Sequence, residues 1–271
     1  MDDQQFHQLL QYLHLSWPGY RKVRKGVKKR IRRHMRRLKC PGIGEYLIEL
    51  ERSKEARDEC DRLMTVPISR FFRDKALWEI LQEKILPGLI REQTEKIPVW
   101  SAGCASGEEV YSLKIIYESL HTSDYHSPKL MITATDMNPA CLERARDGSY
   151  PASSLKELPE RFRSMYFESK TGKKGYNIKA FLKKDIIWRT HNLLGGIPGS
   201  RFQIIFLRNC LLTYYHDEIK ISALKKVLTC LAPGGFLIIG SHEILPFETS
   251  ELHHYGPLSY VFNRQDRGLL K

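Results

Sequence analysis

Short apolar runs recur along the chain from residue 97 onward, and segments with helical spacing separate most of them. The runs predict strands at 97–100, 130–135, 186–189, 202–207, 236–240 and 258–262. Helices are predicted at 110–120, 139–146 and 216–231. Because this alternation is typical of α/β proteins, we predict a mostly parallel sheet covered on both faces, with its ligand at the carboxyl ends of the strands.

The first 66 residues show helical spacing and no strand pattern. Apolar residues recur every three or four positions at Val23, Val27, Ile31, Met35 and Leu38, which predicts an amphipathic helix over 21–39. A second helix is predicted over 43–64. Since Pro67 disfavours helical backbone at the residue before it, we place a boundary there, between a small helical domain (1–66) and a catalytic domain (67–271).

Two further segments of the predicted catalytic domain have distinct patterns. A helix is predicted to begin at Ser69 and to run to about Leu89, directly ahead of the first strand. The stretch from about 150 to 185 is more polar, and Lys170 to Gly175 has the composition of a hairpin turn. We predict that this stretch is an inserted subdomain that either caps the site or recognises a partner.

The net charge of +13 is concentrated in the first amphipathic helix. Residues 21–39 contain twelve lysines and arginines and no acidic residue, whereas the rest of the chain is close to neutral. Three roles fit this cationic face: a solvated surface, a contact with nucleic acid phosphates, and a docking face for an acidic protein. No aromatic residue is interleaved with the charges, so stacking on single-stranded bases is not favoured.

The cysteines are scattered without a C-x-x-C pair, at Cys40, Cys60, Cys104, Cys141, Cys210 and Cys230. This spacing indicates neither a zinc site nor a disulfide framework, so we expect no bound metal and a reducing cytosol. The sequence also shows no secretory signal and no apolar run of membrane-spanning length, so we expect no insertion into a membrane.

The most informative stretch is SAGCASGEEVYS, at 101–112, because it joins a predicted strand to a predicted helix. Gly103 and Gly107 allow a tight turn and the close approach of a ligand. Asp136 ends the next predicted strand, where an acid accepts hydrogen bonds from ribose hydroxyls. Together these features predict a site for a dinucleotide-like ligand or for S-adenosylmethionine (SAM).

The two acids after Gly107 distinguish between these ligands. The dinucleotide fingerprint G-x-G-x-x-G is absent. Carboxylates at Glu108 and Glu109 would repel a pyrophosphate but attract the sulfonium and ammonium groups of SAM, so we favour SAM. A plainer interpretation is that both acids only complement the dipole of the helix that they begin.

Several stretches occur in an order that resembles one known family. They are SRFFR (69–73), VWSAGCASGEEVYS (99–112), ATD (134–136), ARDGSY (145–150), NLL (192–194), LRN (207–209) followed by Tyr214, and LAPGGFL (231–237). They resemble the CheR-type chemotaxis receptor methyltransferases, which use SAM to methylate glutamate side chains. The basic helix and YLIEL (46–50) match that family's N-terminal helical domain, so the resemblance covers nearly the whole chain.

The resemblance implies a Rossmann-like SAM-dependent methyltransferase sheet with a small all-helical N-terminal domain and a small inserted subdomain. The residues implied at the site of SAM and its product S-adenosylhomocysteine (SAH) are Ser69, Arg73, Gly103, Glu109 at the methionine ammonium, Asp136 at the ribose, Asn192 and Leu193 at the adenine, Arg208 and Asn209. The implied catalytic residues are Arg73 and Tyr214. Plainer roles are a turn for Asn192 and Asn209, a helix N-cap for Ser69 and an ion pair for Arg208.

The chain departs from the family pattern at three places. The segment from Arg208 to Tyr215 is one residue longer than usual, so either Tyr214 or Tyr215 fits the active site, and we select Tyr214. Pro67 stands where the family commonly has an asparagine near the cofactor. The sequence GSHEILP (240–246) differs from the usual G-H-S-E and leaves the role of His242 open.

We therefore expect a SAM-dependent methyltransferase that forms methyl esters on glutamates of a protein, the methyl-accepting chemotaxis receptors. Its basic helix is expected to dock an acidic helical receptor segment through Arg32, Arg33, Arg36 and Arg37. A glutamate with a pKa of about 4.3 is already ionised at neutral pH, so its attack on the methyl group needs no general base. The alternatives are another protein or a small carboxylic acid as substrate, or an RNA-binding SAM-dependent protein, although the D/N-P-P-Y/F motif of base-amine methylation is absent. We expect a monomer.

Overall fold

The computed structural model describes residues 1–120, 127–170, 175–199 and 201–265. Its α-helices are α1 (Asp3–Tyr12), α2 (Arg24–Arg37), α3 (Ile43–Arg52), α4 (Lys54–Met64), α5 (Lys75–Ile80), α6 (Leu86–Glu92), α7 (Glu108–Leu120), α8 (Pro139–Asp147), α9 (Glu160–Tyr166), α10 (Leu211–Tyr214) and α11 (Asp217–Thr229). Its strands are β1 (Lys96–Ala102), β2 (Lys129–Asp136), β3 (Ser149–Tyr150), β4 (Phe167–Ser169), β5 (Tyr176–Ile178), β6 (Ile186–Thr190), β7 (Phe202–Leu207), β8 (Leu231–Ile239), β9 (Leu252–Tyr255) and β10 (Leu258–Arg264).

The chain divides into two compact units. One comprises Met1–Val66 with Asn209–Ala223, and the other comprises Pro67–Arg208 with Leu224–Lys271. The first unit therefore takes up a short segment from far along the chain, which the pattern around Pro67 does not reveal.

A seven-stranded sheet forms the centre of the second unit, in the order β6-β2-β1-β7-β8-β10-β9. β1 pairs in parallel with β2 on one side and with β7 on the other, so the direction in which the chain adds strands reverses at β1. β10 pairs antiparallel with both β8 and β9. The α/β fold is confirmed, and the reversal at β1 marks the edge of the sheet where such folds bind their ligands.

The central strands are apolar on both faces, which explains why short, unbroken apolar runs in the sequence predicted them. In β7, Ile204, Ile205, Phe206 and Leu207 are consecutive and all buried. Strands of a parallel sheet covered by helices on both sides lack the polar alternation of a half-exposed strand. The edge strand β9, with the sequence LHHY, was not predicted because its two histidines are exposed and it carries no apolar run.

Two helix predictions were wrong in their bounds. The single helix expected over 43–64 is two helices, because Ser53 is extended and its hydroxyl accepts a hydrogen bond from the Ala56 backbone as the N-cap of α4. The helix expected from Ser69 begins at Lys75, since Phe72 and Asp74 have φ angles of 55° and 63° that interrupt a right-handed helix. It then continues through a π-helical turn at Leu81–Ile85 into α6, past Pro87.

The core of the first unit is built from α1 to α4. Phe6, Val27, Ile31, Tyr46 and Leu50 are at most 3% exposed. The predicted apolar face of the basic helix is confirmed, because its five apolar residues are buried in this core or packed against it. The helix ends as α2 at Arg37, close to the predicted bound.

The segment 209–223 is attached to the first unit by specific contacts. The Ser16 backbone N–H donates to the Tyr214 carbonyl oxygen at 2.8 Å, and the rings of Tyr20 and Tyr214 lie 4.9 Å apart. A Cβ added at Gly19 would lie 2.2 Å from the Thr213 carbonyl oxygen, so only glycine fits there.

The predicted insertion contains a three-stranded sheet in the order β3-β5-β4, with antiparallel pairing. Phe71 packs edge-on against Tyr150 and Phe167 and so ties this sheet to the segment before α5. The hairpin turn expected between Lys170 and Gly175 lies mostly outside the described residues. In the described ranges, no helix is long and apolar enough to cross a membrane, and no group of three His, Cys, Asp or Glu side chains is placed to hold a metal ion. All six cysteines are free thiols.

Candidate functional site

The loop between β1 and α7 has a left-handed backbone at three positions. The φ angles of Gly103, Ala105 and Gly107 are 76°, 48° and 86°. The backbone N–H groups of Gly103 and Cys104 both donate to the Thr135 carbonyl oxygen, at 2.8 and 2.9 Å. The loop is therefore fixed to the carboxyl end of β2, beside the point where the strand order reverses.

Gly107 is required by packing as well as by its backbone angle. A Cβ at this position would lie 2.9 Å from Cη2 of Trp188 and 3.0 Å from Cβ of Ala145. These side chains come from β6 and α8, so the start of α7 approaches both of them closely. We predicted close approach by a ligand at this glycine, and the contacts described here are with protein side chains.

Asp136 joins the end of β2 to the glycine loop. Its Oδ2 accepts a hydrogen bond from the Ala105 backbone N–H at 2.9 Å, and its Oδ1 accepts one from the Asn138 backbone N–H at 2.8 Å. Burial raises the pKa of this carboxyl, and the two N–H groups act against that rise. Each oxygen has a second lone pair, so the carboxylate is able to accept further hydrogen bonds from a ligand's hydroxyls.

Glu109 and Asp74 form an ionic cluster around the buried side chain of Arg208. Nη1 of Arg208 donates to Oε2 of Glu109 at 3.0 Å, and Nη2 of Arg208 donates to Oδ2 of Asp74. The Ser101 hydroxyl donates to Oε1 of Glu109 at 2.7 Å. The side chain of Arg208 is only 4% exposed, so the ion pair proposed as its plainer role exists but is not on the surface.

The segment from Ser69 to Asp74 is held against the start of α7. The Phe72 backbone N–H donates to the Ser112 hydroxyl at 3.0 Å, and the indole N–H of Trp78 donates to the Arg73 carbonyl oxygen at 2.7 Å. Ser69 is not a helix N-cap, because α5 begins six residues later. Its side chain instead acts on Glu108, where it helps to lower the pKa of that carboxyl.

Glu108 is buried to an unusual degree for an acid in a first helical turn. It is 5% exposed, and its Oε2 has no hydrogen-bond partner among the described residues. Burial raises its pKa, and its own backbone N–H, the charge of Arg144 and the side chain of Ser69 act against that rise. A solvated acid that only complements a helix dipole would not be buried in this way, so the structure disfavours the plainer interpretation for Glu108.

Asn192 and Leu193 follow β6 in a turn. The Asn192 side-chain oxygen accepts a hydrogen bond from the Leu194 backbone N–H at 2.9 Å, which is the plainer turn role named for it. The His191 backbone N–H just before it donates to the Asp136 carbonyl oxygen at 3.0 Å. The turn thus begins next to the carboxyl end of β2, and the side chain of Asn192 is exposed.

The two predicted catalytic residues belong to different compact units. Arg73 lies in the second unit, directly before Asp74. Tyr214 lies in the first, where its ring contacts Tyr20, and Asn209 belongs to the same segment with a φ of 53°. Tyr215 pairs with Leu15 in an isolated antiparallel bridge, and burial raises the pKa of its phenol to about 12.

The four arginines predicted for substrate docking are all exposed on α2. Arg37 forms an ion pair with Glu59, and the Arg32 guanidinium donates to the Met1 carbonyl oxygen at 3.1 Å. Arg33 and Arg36 form no ion pair within the described part of the chain. The helix therefore presents a dense cationic surface, with its neutral face in the core.

The model of the CheR methyltransferase SAM-binding domain matches residues 68–259 of the chain. The chain belongs to the CheR methyltransferase family. It is 36% identical over 218 residues to the chemotaxis protein methyltransferase of Listeria innocua, covering 80% of each chain. It is 30% identical over 225 residues to that of Vibrio parahaemolyticus and 29% identical over 226 residues to chemotaxis protein methyltransferase 1 of Pseudomonas aeruginosa, covering 80–81% of each chain.

Membership of the CheR family confirms three predictions: the resemblance, the SAM-dependent methyltransferase fold, and SAM as cofactor. The site fits this ligand, because the partly buried carboxylates of Glu109 and Asp136, near the carboxyl ends of β1 and β2, suit its ammonium group and its ribose hydroxyls. Every predicted SAM residue lies within the matched range, whereas the docking arginines lie before it.

Three residues that support the site were not predicted. Asp74 binds Arg208, Ser101 binds Glu109, and the Thr135 carbonyl oxygen anchors the glycine loop. Ser101 and Thr135 stand inside stretches that resemble the CheR family, and Asp74 directly follows one, which was the available signal. Their partners, however, are distant in the sequence or lie in the backbone.

Proposed function

We propose that this CheR-family protein methylates glutamate side chains of chemoreceptors and forms methyl esters. Two observations support the substrate: relatives of the chain are chemotaxis protein methyltransferases, and α2 presents the exposed cationic surface described above. The cationic surface carries the proposal, because a protein segment rich in glutamate is the substrate that it complements electrostatically.

The SAM site is assigned to the residues around the ends of β1, β2, β6 and β7. Glu109 holds the methionine ammonium, Asp136 the ribose hydroxyls, and Asn192 and Leu193 border the adenine. The remaining contacts are assigned to Ser69, Arg73, Gly103, Arg208 and Asn209. When bound, SAM supplies an electrophilic methyl group on a positively charged sulfur.

The protein's part in the reaction is to orient the acceptor. A glutamate with an ordinary pKa of about 4.3 is ionised at neutral pH, so no side chain has to remove a proton. Arg73 holds the carboxylate by charge-assisted hydrogen bonds, and Tyr214 directs one oxygen toward the methyl group. The pairing with Arg73 is partial, because a full bidentate clamp would stabilise the ground state and slow the transfer.

Docking of the receptor is assigned to Arg32, Arg33, Arg36 and Arg37. Exposed arginines give modest energy individually, but a row of them raises the rate of encounter with an acidic helix and fixes its register. The proposed substrate is therefore the acidic, helical, cytoplasmic part of a chemoreceptor.

The test is transfer of radiolabelled methyl from SAM to membrane and cytosolic fractions of the source cell, followed by mild alkali. The expected result is label on a membrane protein that is released as methanol, because methyl esters hydrolyse under these conditions. A matched substrate control is the same membrane fraction after amidation of its carboxyl groups by a carbodiimide, which should take up no label. Label that resists alkali, or that separates with RNA, would contradict the proposal while leaving the fold and cofactor in place.

A further inference from the structure

A cleft of about 650 Å³ runs along the outer face of α2 in the first unit. It is lined by Met1, Asp3, Arg21, Arg24, Lys25, Lys28, Lys29, Arg32 and Arg36. Seven of these side chains are cationic and one is a carboxylate, which leaves six uncompensated positive charges around one concave surface.

The charges of the cleft are only partly satisfied by the protein. Asp3 pairs with Lys28 at 2.9 Å and with Arg24 at 3.5 Å, and these contacts lower the pKa of Asp3. Within the described residues, Arg21, Lys25, Lys29 and Arg36 have no acidic partner. Like charges held this close repel one another, so a bound anion would reduce the electrostatic repulsion among the cations of the cleft.

Part of the wall of the cleft is held in place by contacts within the protein. A capping box between Asp2 and Gln5 begins α1, and Phe6 anchors that helix in the core. The guanidinium of Arg24 lies 3.5 Å from the centre of the Trp17 ring, a cation–π contact that restricts its side chain. Because Arg24 is already positioned, less entropy is lost when an anion binds to it.

The size and chemistry of the cleft select a compact polyanion. Its volume lies within the range of about 300–1,000 Å³ that is usual for small-molecule sites. Lysine ammonium groups bind phosphate as point charges, and arginines bind it through paired hydrogen bonds. We propose that the cleft binds a soluble oligophosphate anion, of the class of inorganic oligophosphates and nucleoside polyphosphates, through its phosphate groups.

This site shares residues with the proposed docking surface. Arg32 and Arg36 line the cleft, whereas Arg33 and Arg37 do not. An occupied cleft would neutralise two of the four docking arginines and compete with an acidic receptor segment. This consequence rests on the proposed function, but binding of the anion itself does not.

Two double variants of the full-length protein test the binding. Lys25→Gln with Lys29→Gln removes two unpaired charges from the cleft, and Lys22→Gln with Lys39→Gln removes two exposed charges of the same basic stretch that do not line it. Both pairs lower the net charge equally, and both leave the proposed catalytic, SAM-binding and docking residues intact. Thermal unfolding of each variant verifies that it is folded.

Titration calorimetry with sodium tripolyphosphate should show one site per chain. The cleft variant should bind about tenfold more weakly and the control variant within about twofold of the parent. Affinity should fall steeply with added salt, and ATP should displace the tripolyphosphate. Absence of binding, several equivalent anions per chain, or equal weakening in the two variants would overturn the proposal.

A second arm separates a soluble ligand from a lipid surface. Vesicles of phosphatidylcholine and phosphatidylglycerol should bind weakly and should lose affinity equally in both variants, because a membrane senses total charge rather than one cleft. Selective loss of vesicle binding in the cleft variant, without tripolyphosphate binding, would show that the surface serves lipid instead. With receptor as substrate, tripolyphosphate should raise KM and leave kcat unchanged; if the proposed function fails, the calorimetric result still stands.

Discussion

Nη1 of Arg208 donates a hydrogen bond to Oε2 of Glu109 across 3.0 Å, although the two residues are 99 positions apart in the sequence. This bond joins the residue after β7 to the first turn of α7, which directly follows the glycine loop. Both side chains are largely buried, so each charge needs the other to offset the free-energy cost of its burial. We therefore propose that an ion pair, as well as the backbone of the loop, sets the shape of the SAM site.

Arg208→Lys tests this pair. Lysine keeps the charge but lacks the planar fork, so it is not expected to satisfy Glu109 and Asp74 together. Calorimetry with SAH should show binding weakened about tenfold to a hundredfold, and stability should fall by about 1–3 kcal/mol. Arg201→Lys, at an exposed arginine of the same unit, is the control. Unchanged SAH affinity in Arg208→Lys would mean that the cluster does not shape the site.

Glu108→Gln should make the stability of the protein less dependent on pH. Burial raises the pKa of Glu108 above its ordinary value of 4.5, so the folded state holds this proton more tightly than the unfolded state does. The resulting stabilisation is complete at pH below 4.5 and is lost as pH rises through the folded-state pKa. A glutamine has no proton to lose.

The measurement for Glu108→Gln is the unfolding temperature against pH, without ligand. The variant should gain stability relative to the parent as pH rises from about 4 toward 7. Glu83→Gln changes an exposed acid of the same unit and is the control. The difference between its unfolding temperature and that of the parent should not change with pH. A Glu108→Gln difference that does not change with pH would show that Glu108 does not carry the buried charge.

Gly107→Ala should destabilise the second unit by about 1–3 kcal/mol, because its φ of 86° is unfavourable for alanine and the new Cβ meets Trp188 and Ala145. Urea denaturation measures this loss. Gly88→Ala in α6 is a matched control, since a Cβ there meets nothing within 4 Å and alanine favours helix by up to about 1 kcal/mol. Equal effects of the two changes would argue against crowding at Gly107.

Tyr214→Phe and Tyr215→Phe separate the two candidate tyrosines. Removal of the Tyr214 hydroxyl should lower kcat about tenfold or more and leave SAH affinity unchanged, because the hydroxyl is proposed to orient the acceptor. Tyr215→Phe should retain most of the activity, since orientation of the acceptor is assigned to Tyr214 and Tyr215 pairs with Leu15 through its backbone. The reverse order would move the catalytic role to Tyr215, and equal activity in both variants would remove tyrosine from the mechanism.

Reversal of the docking charges should act on KM. Arg32→Glu with Arg33→Glu is expected to raise the KM for receptor about tenfold or more, with a smaller effect on kcat and none on SAH affinity. Arg36→Glu with Arg37→Glu should do the same and also lower stability, because the ion pair with Glu59 is lost. The control, Arg52→Glu with Lys54→Glu, reverses exposed charges elsewhere in the first unit. If the parent and all three variants have the same KM for receptor, the charged face of α2 is only a solvated surface and does not dock the receptor.

The parts of the site that the sequence predicted are local. The strand, the glycine loop and the acid after the next strand follow one another closely, so their relation in space follows from a strand–turn–helix unit and its parallel neighbour. The ordered motifs of the CheR family then extended this reading along the chain. Hydrophobic runs located the central strands for the same reason, because each run is buried on both faces.

The parts that were missed depend on contacts between distant residues or on single backbone angles. Nothing near Arg208 in the sequence specifies Asp74 and Glu109 as its partners. The positive φ angles at Phe72 and Asp74 move the start of α5, although the residues there allow helix. Likewise, Ser53 divides a continuous helical pattern by acting as an N-cap.

The assignment of 209–223 to the first unit has a consequence for synthesis on the ribosome. The partners of Tyr20, Ser16 and Leu15 in that segment are translated more than 140 residues after Val66. At synthesis rates of about 5–20 residues per second, roughly 7–30 s pass between the synthesis of Val66 and that of segment 209–223. During this time the surface of the early helices that the segment covers stays exposed. The N-terminal unit, although made first, is therefore completed only when most of the chain has left the ribosome.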